Sequence, residues 1–197
     1  MSKSAFSIFA AYGGRQHALV EKKKRHRGQV DAFAADVPGA DVENDERYTT
    51  RETLAWCAAR AGVAVFDLDV AACEESHHAP RWYDKATDGL AQPWNAKRVW
   101  CNPPYSDIAP WVRKAWDEIE AERCERVAML LPAIKTEQPW WQRDIEPFRD
   151  RSHTCSFASL RSYFLPGRTA FARPGSGGIG QSGAPFGCVL LVWRRSQ

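Results

Sequence analysis

The chain has 197 residues, 27 basic against 24 acidic, and 44% apolar residues to which 13 glycines add. That balance describes one globular domain, or one with an insertion, and excludes disorder, collagen and coiled coil. No apolar run approaches the ~20 residues that a bilayer span needs, so no membrane association is expected.

The first residues, Ala5 to Tyr12, are mostly apolar behind Lys3, but Ser7 interrupts them and Gly13-Gly14-Arg15 follows in place of a cleavage site. They do not read as a secretory signal, and a cytoplasmic protein is expected. The six cysteines are dispersed with no C-x-x-C pair, as buried thiols of a reduced compartment are. Charge is strongly segregated. Arg15 to Val30 carries six basic residues and one acid, Asp31 to Glu46 six acids and no lysine or arginine, and Arg151 to the end six arginines and no carboxylate. Residues 1–46 therefore read as an arm and linker, and 47–197 as the folded domain.

Within that domain Thr49-Thr50-Arg51-Glu52 fits a capping box, followed by a helix over Leu54–Ala61 that Gly62 closes. Ala64–Ala71, with Asp67 and Asp69 embedded, reads as a strand ending at a site. Arg98–Asn102 is a second strand, stopped by Pro103-Pro104. Trp111, Ala115 and Ile119 form one stripe of a helix. Val127–Ala133 and Phe186–Trp193 are apolar throughout, as strands covered on both faces are. The alternation predicts an α/β, Rossmann-like sheet with helices on both faces.

Asn102-Pro103-Pro104-Tyr105 is the most informative stretch. It follows a strand, at the edge where open α/β sheets bind ligands. Each proline fixes its own φ and biases its predecessor to extended backbone, so the Asn102 amide and the Pro103 carbonyl point in one direction. Two rigid acceptors suit an aromatic exocyclic amine: they take both N–H groups and support the charge that develops as the nitrogen attacks an electrophile. A neighbouring tyrosine can stack on the base. A methyl on a sulfonium, as in S-adenosyl-L-methionine, is an electrophile that needs no metal.

The motif resembles that of amino-methylating, S-adenosylmethionine-dependent methyltransferases, and the wider pattern resembles the phage-type, Dam-like DNA adenine methyltransferases. The resemblance rests on Tyr48-Thr49, Phe66-Asp67-Leu68-Asp69-Val70-Ala71-Ala72, Asp88-Gly89-Leu90-Ala91-Gln92-Pro93-Trp94, Cys101 to Ser106, Leu131-Pro132-Ala133, Trp140-Trp141, Gly167-Arg168 and Ala184-Pro185, in that order. It implies catalysis by Asn102, Pro103, Pro104 and Tyr105 on an adenine flipped from double-stranded DNA, in a bacterial host's cytoplasm. It also implies that Thr49, Asp69, Ala71 and Asp88 hold the cofactor. Two positions depart from the family pattern: Ala71-Ala72 stands where glycines are common, and Thr50 where a proline is usual. The ribose-binding acid has no clear counterpart, Glu74 and Glu75 being the nearest candidates.

The segregated charge suggests phosphate contacts from Lys23 and Arg25 in the arm and from Arg161, Arg168 and Arg173. Residues from about 135 to 185 are expected to form a small target-recognition insertion. The same tetrapeptide also serves RNA-base and protein-glutamine methylation, and a non-catalytic nucleic-acid-binding module on a decayed methyltransferase fold is a further alternative. No obligatory protein partner is evident. Gly175 to Gly180 fits G-x-G-x-x-G, but no helix can follow at Gln181-Ser182-Gly183-Ala184-Pro185, so it reads as a loop rather than a dinucleotide site. Cys73, His77, His78 and Cys101 match no common zinc spacing, and no metal is expected.

Overall fold

A strand that is apolar at every position must be covered on both faces, and the two such runs in this chain lie side by side at the centre of a sheet. In a computed structural model, which describes residues 47–151, 156–177, 179–180 and 184–196, the order is β1 (Tyr48–Thr49), α1 (Arg51–Ala61), β2 (Leu68–Asp69), β3 (Arg98–Cys101), α2 (Ala109–Glu120), β4 (Arg126–Pro132), a single 3₁₀ turn (Ala133–Lys135), α3 (Pro139–Asp144), β5 (Ala158–Phe164), β6 (Phe171–Ala172) and β7 (Cys188–Arg195). The main sheet has the order β2-β3-β4-β7-β5. Its first three strands are parallel, and β7 runs antiparallel between β4 and β5.

Helices cover both faces, as expected. Arg126 on β4 and Arg194 on β7 are register partners. The Arg126 guanidinium donates to the Ala61 and Gly62 carbonyls at 2.9 and 2.7 Å, and that of Arg194 reaches Arg60 and Ala61 at 3.3 Å. Two cations thus meet the bare carbonyls and negative dipole end of α1. Trp193, one residue back along β7, faces the other side, where its ring meets Trp116 of α2 edge-on at 5.9 Å. Trp94, Trp100, Trp141 and Trp193 are all fully buried. Cys57, Cys101, Cys124 and Cys188 are free buried thiols, and Cys73 is free and half-buried.

Three boundaries differ from the sequence reading. The helix expected from Leu54 begins at Arg51, because its N-cap is Thr50, whose hydroxyl accepts from the Thr53 amide at 3.3 Å. Thr49, the hydroxyl of the expected capping box, lies in β1 instead. Gly62 closes the helix in the left-handed conformation (φ 69°), as predicted. The strand expected over 64–71 shrinks to Leu68–Asp69, and just before it the Asp67 carboxylate pairs with the Arg98 guanidinium at 2.5 Å. Residues 158–164, inside the stretch expected to be a recognition insertion, form β5 of the main sheet.

Replacing Thr50 with Ala removes the cap and is expected to lower stability by about 1 kcal/mol, measured by urea denaturation.

Candidate functional site

Parallel pairing sets two short sequences next to each other. Asp69 of β2 is the register partner of Trp100 of β3, and the Val70 amide donates to the Trp100 carbonyl at 3.0 Å. Asp69 and Asn102 therefore emerge at adjacent carboxyl ends, the crevice edge of an open α/β sheet.

Asn102 is half-buried and held at both ends. Its Nδ2 donates to the Arg47 carbonyl at 2.7 Å, and its Oδ1 accepts from the Tyr105 hydroxyl at 3.0 Å. Burial, with Cys188 beside it, pushes the Tyr105 phenol well above its ordinary range, so toward Asn102 it acts as a donor. The amide orientation is thus fixed, and Oδ1 keeps its second lone pair. Pro103 is buried and Pro104 exposed. The Tyr105 ring is buried, meeting Phe171 and Phe186 edge-on at 6.2 and 6.0 Å. The guanidinium carbon of Arg47 lies 5.9 Å from its centroid.

Residues 47–49 cross this edge like a strap. The Arg47 carbonyl is pinned by Asn102, the Tyr48 hydroxyl accepts from Cys73 Sγ at 3.4 Å, and the Thr49 carbonyl bonds the His78 ring. β1 pairs antiparallel with β6, Tyr48 against Ala172 and Thr49 against Phe171. The Thr49 hydroxyl is buried with no hydrogen-bond partner. Freed from capping, it is an orphan polar atom at the edge of the site, which asks for an acceptor or donor from a ligand.

Asp69 is 2% exposed. Burial pushes its carboxyl up to about 7, against the amides of Ala71 and His78, which favour the ionised form from 3.4 and 3.1 Å. It shapes the loop that leaves β2. Burial, and the charge of His77, lower His78 to about 4 against its bond to the Thr49 carbonyl. Asp88, exposed, takes the left-handed conformation (φ 54°), and its Oδ1 accepts from Leu90 at 3.0 Å. A Cβ on Gly89 would stand 2.0 Å from the Val70 carbonyl oxygen, so only glycine lets the Asp88 loop rest on the end of β2. Thr49, Asp69, Ala71 and Asp88 thereby gather around the loop after β2. Glu75 instead accepts from the Gly175 amide at 2.6 Å and ties down the glycine-rich segment.

Of the expected phosphate contacts, Arg161, Arg168 and Arg173 are all exposed. Arg168 follows β5 at the end where Phe164 pairs with Val189, the same edge as the carboxyl end of β4. Arg173 follows β6 directly and so continues the ladder toward Arg47. Arg161 lies within the edge strand β5, away from that rim. Lys23 and Arg25 lie outside the described residues.

A profile of the family "DNA N-6-adenine-methyltransferase (Dam)" matches residues 40–196. The chain belongs to this family. It is 38% identical over 159 residues to a DNA N-6-adenine-methyltransferase of Escherichia phage T1, covering 78% of this chain and 64% of that protein's length. A crystal structure of a proposed RNA methyltransferase from Pyrococcus horikoshii overlays loosely, covering 81% of this chain and 91% of that one at 10% identity and a TM-score of 0.45. In this Dam-family chain the sequence reading missed Arg47, Phe171 and Phe186 as parts of the site. None of the three carried a local signal for it.

The Asp69 carboxyl gives a pH test. Unfolded, it ionises near 3.8; folded, only near 7, so the stability that its protonated form protects is lost as pH rises between those values. His78, depressed when folded, pulls the other way below pH 6.5. The readout is therefore the difference between wild type and Asp69→Asn: the variant should gain about 2–3 kcal/mol on wild type between pH 5 and pH 8 in urea denaturation.

Proposed function

We propose that the chain transfers a methyl group from S-adenosyl-L-methionine to the exocyclic amine of an adenine flipped out of double-stranded DNA. The observation that supports this most is Asn102, oriented by Tyr105 and the Arg47 carbonyl with one lone pair of Oδ1 free. A stacked adenine cannot bring its amine to such a site, which is why flipping is required. Family membership and the DNA N-6-adenine-methyltransferase of phage T1 support the choice of DNA and adenine, and of a bacterial cytoplasm during phage growth as the setting.

S-Adenosylmethionine supplies an electrophilic methyl group. The residues present fit it: the orphan hydroxyl of Thr49, the Asp69-shaped loop with Ala71, and the Asp88 turn that Gly89 presses on Val70. The acids Asp69 and Asp88 suit a cation, and Asp88 keeps one carboxylate oxygen for a polar edge. Asn102 Oδ1 and the Pro103 carbonyl accept the two amine protons, which draws the nitrogen toward tetrahedral geometry and stabilises its developing positive charge. Tyr105 keeps the Asn102 acceptor aimed, and its ring offers a stacking surface. Bound there, S-adenosylmethionine would supply its methyl and be left as the neutral thioether, and the methylated nitrogen held by Asn102 and Pro103 would then be acidic and lose its extra proton to water. Arg168 and Arg173 at the rim, Arg161 on the edge strand, and Lys23 and Arg25 in the arm would contact phosphates, with residues 135–185 contributing to target recognition.

Three outcomes test this. Incubation with tritiated cofactor and DNA, RNA or protein should label DNA, with N6-methyladenine recovered on digestion; label confined to RNA or protein overturns the substrate. Asn102→Ala should cut turnover roughly 100- to 1,000-fold while cofactor affinity stays within a few-fold. Thr49→Val removes the orphan hydroxyl at constant shape. Its stability should stay within about 0.5 kcal/mol of wild type, while cofactor binding in calorimetry weakens about 5- to 10-fold.

A further inference from the structure

Arg47 is in an unusual place for an arginine. Its guanidinium carbon lies 5.9 Å from the Tyr105 ring centroid and 5.1 Å from that of Phe186. Its Nε is buried and donates to nothing, and among the described residues no carboxylate lies within ion-pair reach. Arg47 is half-buried, and an arginine drawn that far out of solvent is normally paired, with its fork filled by an acid or by carbonyls. Here the faces of two aromatic rings are what hold it. Those rings stand immediately beside Asn102, which bonds the Arg47 backbone and not its side chain.

From this we infer that the Arg47 guanidinium is a stand-in for the target base: a planar group that occupies the aromatic seat beside Asn102 when no DNA is bound, and leaves when the base enters. This deepens the adenine-methylation reading and rests on it. The geometry supports exchange without rearrangement. The main chain at Arg47 is fixed by Asn102 on one side and by the Tyr48–Ala172 pair on the other, so the side chain can swing on its own four torsions. The orphan Nε makes the present position a poor one for a cation. A flipped nucleotide offers better terms to both parties. Its base stacks on the rings without an unpaired charge, and its phosphate gives the released guanidinium the bidentate acceptor that the slot lacks. Arg173, exposed, follows β6 directly beyond the Tyr48–Ala172 pair. While in place, Arg47 also keeps water and small planar molecules off the ring beside Asn102.

The test uses the full chain and the free nucleoside of 2-aminopurine, which carries no phosphate and whose fluorescence is quenched on stacking. Its affinity is compared among wild type, Arg47→Ala and Arg47→Lys, with Tyr105→Ala as the control for stacking. Removal of the stand-in should tighten base stacking about two- to fivefold in both Arg47 variants, from the strength of an exposed cation–π contact. Millimolar methylguanidinium should reverse the gain in Arg47→Ala and leave wild type unmoved. At the same time both variants should need more DNA for half-maximal methylation, with Arg47→Ala showing a shallower salt dependence by about one unit. Arg47→Lys keeps the charge without the plane, so it reports even where Arg47→Ala unfolds. Unchanged or weaker stacking in a folded variant overturns the stand-in while leaving the methyltransferase reading intact. Absence of methyl transfer to any DNA by wild type overturns that reading instead.

Discussion

The parallel pairing of β2 with β3 is the constraint on which the site depends. Two strands of two and four residues have little stability of their own, and they persist because β3 leans on β4, which is buried along nearly its whole length against β7. The register sets Asp69 opposite Trp100, so the loop after β2 and the Asn102 turn leave the sheet side by side. A one-residue slip would invert the faces of β3 and carry Asn102 away from the strap at residues 47–49.

The acids of the molecule separate by how well they are satisfied. Glu118 is fully buried yet receives Lys114 at 2.8 Å, Arg123 at 2.5 Å and the Trp94 amide at 3.0 Å; these outweigh burial and hold it below its ordinary value. Asp67 has the Arg98 guanidinium and amide, and Asp144 has Arg143 at 2.5 Å. Asp69 has two backbone amides and no cation, so desolvation wins and its carboxyl rises to about 7. The same contrast holds for other groups. Arg126 and Arg194 spend their terminal guanidinium N–H groups on helix carbonyls, whereas among the described residues the Arg47 guanidinium meets aromatic rings. Thr50 caps a helix, whereas the Thr49 hydroxyl bonds nothing. Asp69, the Arg47 guanidinium and the Thr49 hydroxyl, each poorly satisfied, lie together at the carboxyl edge of the sheet. Stability given up at one place marks where a ligand is expected to supply what is missing.

Much of the fold was legible because periodicity and punctuation are local. The apolar runs of β4 and β7, the Trp111–Ile119 stripe of α2 and the Gly62 stop of α1 are each set by neighbours within a few residues. β5 was not legible, since Ala158–Phe164 has five partly or fully exposed positions out of seven and no clean alternation. An edge strand is stabilised by its partner, and that partner, β7, lies far along the chain. β1 and β6, at two residues each, exist only through pairing with one another.

The site divides the same way. Sequence alone singled out Asn102-Pro103-Pro104-Tyr105 as a stiffened turn at a strand end, because prolines stiffen a turn regardless of what surrounds it, and it located Asp69 and Asp88 beside a strand end and a glycine. Only the tertiary structure decided which threonine caps the helix and which is left with an unpartnered hydroxyl, since a one-residue shift of a cap leaves no trace in composition. Only it brought Arg47, Phe171 and Phe186 to Tyr105, residues separated by up to 139 positions in the chain. Contacts of that span depend on strand order and register, which are global quantities, and no window of sequence contains them.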